Sequence, residues 1–205
     1  MNNTETISSP LASIDSRGKS KHNVKGTAVK NFQKYVEHKL SNEHFRKFLT
    51  KSKLSTTNTI ISSTWYPVEL YIEMHKMCAA ELKMTLKDFV IAFTRYHLEI
   101  DMNGVYQFFM RASGPIKVLS NIPRIDKAYS DYTLMEMVSN EKGRCVSEIH
   151  VPKPYSEWYI WTLVGGFTGL LNVCKTPMKS FKVLEKSQYE KAGELMEITR
   201  MEVTY

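Results

Sequence analysis

Seventeen consecutive residues, Trp158 to Cys174, read WYIWTLVGGFTGLLNVC, with no charge between Glu157 and Lys175. Such a stretch either spans a membrane or is buried on most sides by the rest of the chain, so it fixes what the remainder must do. Gly165, Gly166, Gly169, Thr162, Thr168 and Asn172 dilute its hydrophobicity, and mixed polar and apolar sequence flanks it. The reading is a buried helix whose glycines let neighbouring backbone come close. Pro152 and Pro154 precede it, where proline suits a strand end and a first helical turn, and Pro177 follows, where a helix cannot continue.

The other 188 positions must cover this element, and a 205-residue chain with 42% hydrophobic content suffices for one domain with a substantial core. Residues 1–22 are rich in Ser, Thr and Asn without apolar periodicity and are expected to be a disordered basic and polar tail, leaving 23–205 as a single α+β domain. Val24 to Gly26 are expected to form a short extended lead-in to a helix near Thr27 to Leu40, carrying Val29, Phe32, Val36 and Leu40 at helical spacing. Ser41 caps a second helix holding Phe45, Phe48 and Leu49. Pro67 opens a third, on which Val68, Tyr71, Ile72, His75, Cys78 and Ala79 share a face. Thr85 with Asp88 caps a longer one running through Phe89, Val90, Phe93, Tyr96 and His97. Further helix is expected at Val105 to Ala112 and from Ile116 to Tyr129, with a bend at Pro123.

After Tyr132 the apolar period shortens to two. Thr133 to Asn140 and Arg144 to Val151 read as strands joined by a turn at Glu141-Lys142-Gly143; Met178 to Lys186 and Glu194 to Tyr205 read as a second pair. Met196 and Ile198 share one parity while Met201, Val203 and Tyr205 share the other, which calls for a bulge near Thr199-Arg200. The expected fold is α+β: a helical N-terminal half followed by a four-stranded antiparallel sheet in the order β-β-α-β-β, with the glycine-containing helix buried.

Charge and chemistry narrow the function classes. Residues 1–53 hold 11 basic and 4 acidic side chains, whereas the rest hold 17 of each, so the whole net charge of +7 lies at the N-terminal end. That end is read as a solvated segment, with nucleic acid and anionic lipid set aside. Cys78, Cys145 and Cys174 are scattered and odd in number and are read as reduced core thiols. No secretory signal pattern opens the chain, which points to the cytoplasm, and the apolar run is too diluted for a membrane span. Zinc-ligand spacing, a phosphate-binding loop and a serine elbow are absent, so neither an enzyme nor a metal site is expected. The candidate ligand-binding residues are Trp65, Tyr66, His75, Cys78, Tyr96, His97, Trp158 and Trp161, because small-molecule pockets are mostly apolar with few polar anchors.

The motifs VKGTAV (Val24 to Val29), TWYPVELY (Thr64 to Tyr71), SGPIKVLSNIPR (Ser113 to Arg124) and WTLVGGFTGLLNV (Trp161 to Val173) resemble a bacterial family best populated in myxobacteria. Its architecture is similar to that of the haem nitric-oxide-binding sensors, vinyl-reductase-type ligand domains and transport-particle subunits. The resemblance implies for the haem sensors an iron-ligating histidine on the helix before the sheet and a Tyr-x-Ser-x-Arg motif that clamps the propionates. The corresponding stretches here read SNIPRIDKAYSDY and EIHVPKPYSEW and contain neither. The expectation is therefore a non-enzymatic sensory or signalling module that binds a small, largely apolar ligand between helices and sheet and carries no cofactor, haem included. The alternative is a protein-protein interaction or scaffold protein, as a homodimer or docked to an acidic partner through the basic N-terminus.

Overall fold

In the computed structural model, which describes residues 20–54, 59–101 and 113–205, the first strand is a three-residue piece, Asn23–Lys25 (β1). It pairs antiparallel with Trp65–Pro67 (β2), setting Val24 opposite Tyr66. In this ribbon the first strand is the extended lead-in expected at Val24 to Gly26, whereas its partner at Trp65–Pro67 has no counterpart in the sequence reading, because three residues are too few to show a period. Between its strands run α1 (Gly26–Lys39) and α2 (Asn42–Ser52), the second capped by Ser41, whose hydroxyl accepts from the His44 amide.

Pro67 ends the ribbon and begins α3 (Val68–Glu81). Thr85 caps α4 (Leu86–Asp101), its hydroxyl accepting from the Asp88 amide at 3.1 Å. The helix expected at Val105 to Ala112 lies outside the described residues. Residues 113–119 are helical (α5), and a turn at Ser120 and Asn121 separates them from α6 (Ile122–Tyr129). The bent helix expected here is thus two helices. Pro123 stands in the first turn of the second, where its missing N–H costs no bond.

Four strands follow: β3 (Leu134–Glu141), β4 (Arg144–Pro152), β5 (Ser180–Lys191) and β6 (Glu194–Thr204), ordered β3-β4-β6-β5 and antiparallel throughout. Gly143, with φ of 82°, lets the chain reverse between β3 and β4 in two residues. The expected bulge at Thr199-Arg200 is corrected: β6 keeps an unbroken register against β4, and the shifts fall in β3 at Met137/Ser139 and in β5 at Val183/Glu185. The parity of Met201, Val203 and Tyr205 continues through Thr199 and Glu197, both buried. Glu197 is tolerated there because the ammonium groups of Lys153 and Lys186 pair with it.

After a short turn at Lys153–Tyr155, α7 (Ser156–Val173) lies on the sheet, Phe167 meeting Phe181 of β5 with ring centroids 6.3 Å apart. No helix among the described residues is long and apolar enough to cross a membrane. Residues 20–22, expected in the tail, are packed instead. His22 is buried and pairs with Glu194 at 2.6 Å, and the Ser20 hydroxyl reaches the buried Glu69 carboxylate at 3.0 Å. The Tyr155 hydroxyl donates to the same carboxylate at 2.5 Å.

Candidate functional site

Helix α4 is pressed onto α7 because α7 has no side chains where the two cross. A Cβ built on Gly165 would stand 2.5 Å from the Ile91 carbonyl oxygen, and one on Gly169 would stand 2.9 Å from that of Arg95. At such distances only glycine fits. Gly166, one position on, faces a different way: its Cβ would find nothing nearer than Leu98 Cδ1 at 3.5 Å.

On the Gly166 side the helices part around a partly open cavity of about 120 Å3, lined by Val24 of β1, by residues of α1, α3, α4, α6 and α7, and by Ser130 and Tyr132 after α6. That matches the volume, about 150 Å3, of an engineered apolar cavity that accepts benzene. Its walls are mostly helical. The expected placement between helices and sheet is corrected, because no strand of the four-stranded sheet contributes to the lining and α7 stands between.

Of the eight residues singled out from the sequence, His75, His97 and Trp158 line the cavity. The others lie elsewhere. Trp65 is 40% exposed under the Lys25 ammonium, and the Tyr66 hydroxyl accepts from the Ile61 amide at 2.9 Å. Tyr96 packs edge-on to Tyr35 and stacks with His38, and Trp161 is half-buried against the core. Cys78 is fully buried, and burial, assisted by the Glu81 charge, pushes its thiol up to about 12, which leaves it inert at neutral pH.

The lining is apolar apart from a few groups. His75 is enclosed by the rings of Phe32, Tyr71, Phe89, Phe93 and Trp158, and burial holds its pKa down to about 3. The Trp158 indole donates to its Nδ1 at 3.2 Å. His97 stacks on Phe93 and leans on Tyr129 of α6, with both ring nitrogens buried. Among the lining residues that escaped the sequence reading, Asp126 and Tyr132 carry titratable groups. Burial raises the Asp126 carboxyl to about 6 against the lowering effect of the Thr133 hydrogen bond, and Tyr132 is pushed well above its ordinary value by burial and then by Asp126. Asp126 Oδ1, the Tyr132 hydroxyl and His75 Nε2 are buried without a hydrogen-bond partner among the described residues, so the cavity holds unmet polar capacity. No periodic pattern marks such groups; only their placement does.

Comparison with known proteins agrees with this architecture. Residues 25–149, more than half the chain, match the family described as Haem-NO-binding. Similar solved structures include an Fe(II) unliganded H-NOX protein mutant from K. algicida, with 14% identity, a TM-score of 0.61, and coverage of 86% of this chain and 95% of that one. An H-NOX mutant from T. Tengcongensis gives 12%, 0.63, 88% and 96%, and a Cs H-NOX mutant gives 12%, 0.64, 88% and 95%. At these identities the likeness is one of fold. No curated protein matches the chain.

The family match overturns the expectation of a chain without a cofactor, since haem is part of what the family binds. Haem asks a protein for an apolar slot, a lone pair for iron, and room. The lining provides the first, and it carries imidazoles on α3 and α4 and none on α6, although the lone pair of His75 Nδ1 already accepts from the Trp158 indole N–H at 3.2 Å. Room is lacking: the cavity of about 120 Å3 is smaller in this structure than a macrocycle needs. Helix α6 is a thinly buried wall, with only Ile122 and Asp126 of its eight residues buried. The expectation failed because it looked for donors only at the family's motif positions.

Proposed function

Since the chain belongs to the haem-NO-binding family, we propose that the cavity between α3, α4, α6 and α7 holds haem together with a small, largely apolar gas, and that occupancy is what the protein signals. The chain is a sensory ligand-binding module and not an enzyme. The observation that carries the reading is the apolar lining of the cavity, with the His97 imidazole on its wall.

Haem, when bound, would supply an iron able to take a gas molecule. The protein's own groups do the rest. Phe93, Leu98, Leu163 and Phe167 exclude water from the enclosure, and a buried imidazole offers the lone pair. Tyr129, against His97, sits on the α6 wall that has to move outward when the cavity fills, which makes that helix the part of the site able to report filling. This reading is tested by reconstituting the full chain with hemin, desalting it, and recording absorption and native mass spectra before and after adding NO. A Soret band that shifts with NO, at one haem per chain, is expected. Bare polypeptide and no Soret band would overturn the reading.

A further inference from the structure

The cavity wall carries polar atoms that are buried and, among the described residues, have no hydrogen-bond partner: His75 Nε2 of α3, Thr94 Oγ1 of α4, Asp126 Oδ1 of α6 and the Tyr132 hydroxyl beyond it. Their residues are 1%, 4%, 7% and 7% exposed. A polar atom so placed is costly until something in the cavity pairs with it.

Two of these atoms have fixed roles. An indole N–H donates and never accepts, so the Trp158 bond at 3.2 Å makes His75 Nδ1 the nitrogen with the lone pair. Burial keeps the ring neutral, its one hydrogen sits on Nε2, and that atom can only donate. Asp126 is the converse. Thr133 donates to its Oδ2 at 2.7 Å, which leaves Oδ1, and an ionised carboxylate oxygen can only accept. The Thr94 and Tyr132 hydroxyls can do either.

The space beside these atoms is the size of one ring. About 120 Å3 is close to the roughly 150 Å3 of an engineered apolar cavity that takes benzene, and Tyr71, Phe93, Trp158 and Tyr159 turn aromatic surface towards it.

We propose that the haem-free chain binds in this cavity, directly on protein groups, a single-ring molecule bearing one hydroxyl. The ring matches the volume and the apolar lining. A hydroxyl is the smallest group that both accepts from a fixed donor and donates to a fixed acceptor; an ether or ketone answers only the donor, and a hydrocarbon answers neither. A charged ring would lose its hydration without a counter-charge to replace it at the His75 end. The proposal goes beyond the haem reading and stands apart from it, because it concerns the cavity at its present size and needs no metal.

The test titrates the full chain, free of haem, with phenol and with toluene, which has the same shape but a methyl in place of the hydroxyl, by isothermal titration calorimetry. One phenol per chain is expected, bound at least about tenfold more tightly than toluene. His75→Phe keeps a flat ring and removes the N–H, and it is expected to cut that preference to about threefold or less. The readout is a ratio, so a change in cavity volume weighs on both probes alike. If His75→Phe does not fold, Asp126→Ala removes the acceptor instead and is expected to shrink the ratio in the same way. Absence of phenol binding, equal affinity for the two probes in wild type, or an undiminished preference in the folded variants would overturn the proposal. The two readings fail separately: a Soret band from hemin without a phenol preference leaves haem binding standing, and a phenol preference without a Soret band does the reverse.

Discussion

Helix α4 meets α7 and α6 in opposite ways. Against α7 it rests backbone on backbone, with the Ile91 and Arg95 carbonyls set on Gly165 and Gly169 and no space left over. Against α6 it meets side-chain ends, and there the cavity, His97 and the unmet Asp126 carboxyl collect. A contact made by main chain has no rotamers to adjust, whereas one made by the tips of side chains can open. Fixed geometry and adaptable volume thus lie on two faces of one helix, a few ångströms apart. A sensor needs both, since a ligand donor must stay put while the wall beside it moves.

The largest effect should come from filling the tight side. Gly165→Leu puts carbon into the Ile91 carbonyl, and overpacking of this kind costs about 3 kcal/mol or more. In a domain of this size that is a fall in melting temperature of about 10 °C, read by calorimetry. A variant melting within a degree or two of wild type would dissolve the contrast between the two faces.

Next comes Asp126 on the loose side. Its carboxyl is raised from near 3.8 to about 6 in the folded chain, so between those pH values the folded state keeps a proton that the unfolded state has lost. Stability contributed by this group is therefore full below pH 4, falls by about 1.4 kcal/mol per pH unit up to about 6, and stays low above. Asp126→Asn should melt higher than wild type at pH 7.5, by the equivalent of about 2 kcal/mol, and should match it at pH 4. Equal melting at both pH values would mean that the carboxyl is not held in a dry environment.

Ile125→Ala trims the α6 wall, where the side chain is only half-buried, and should cost about 1 kcal/mol while quickening hemin uptake in stopped-flow absorption. Slower uptake would show that α6 is not the wall that opens. Gly166→Ala should do least. Its Cβ makes an ordinary contact with Leu98, and helix propensity favours alanine by about 1 kcal/mol, so the melting temperature should hold or rise slightly. A marked fall would extend the backbone contact to the cavity side.

Much of this architecture is written in local patterns. The Thr85 cap, the Pro67 start and the glycines of α7 each declare themselves within a few residues, because their physics is local. The site is legible only in part. His75, His97 and Trp158 stand out by residue type, but type does not tell which face an aromatic occupies, so Trp65, Tyr66, Tyr96 and Trp161 drew attention without belonging to the cavity. Asp126 and Tyr132 went unnoticed for the converse reason. A carboxyl and a phenol in a polar-looking stretch become unusual only once folding takes water from them. Buried Glu197 and Thr199 misled the strand reading in the same way, since polar residues on an inward face imitate a change of parity.

The sheet also sets the order in which the chain can assemble. β3 with β4 and β5 with β6 are hairpins closed by two-residue turns, and each can form within microseconds. The central β4–β6 ladder joins Arg144 to Thr204 and encloses the whole of α7, so it must wait for a long loop to close. During that wait β4 and β6 are bare edges and an almost uncharged helix has no sheet to lie on. Two chains meeting then can pair edge to edge as readily as one chain can pair with itself. Recovery from denaturant should accordingly depend on dilution, with the native fold favoured when encounters are rare and strand-paired aggregates when they are frequent.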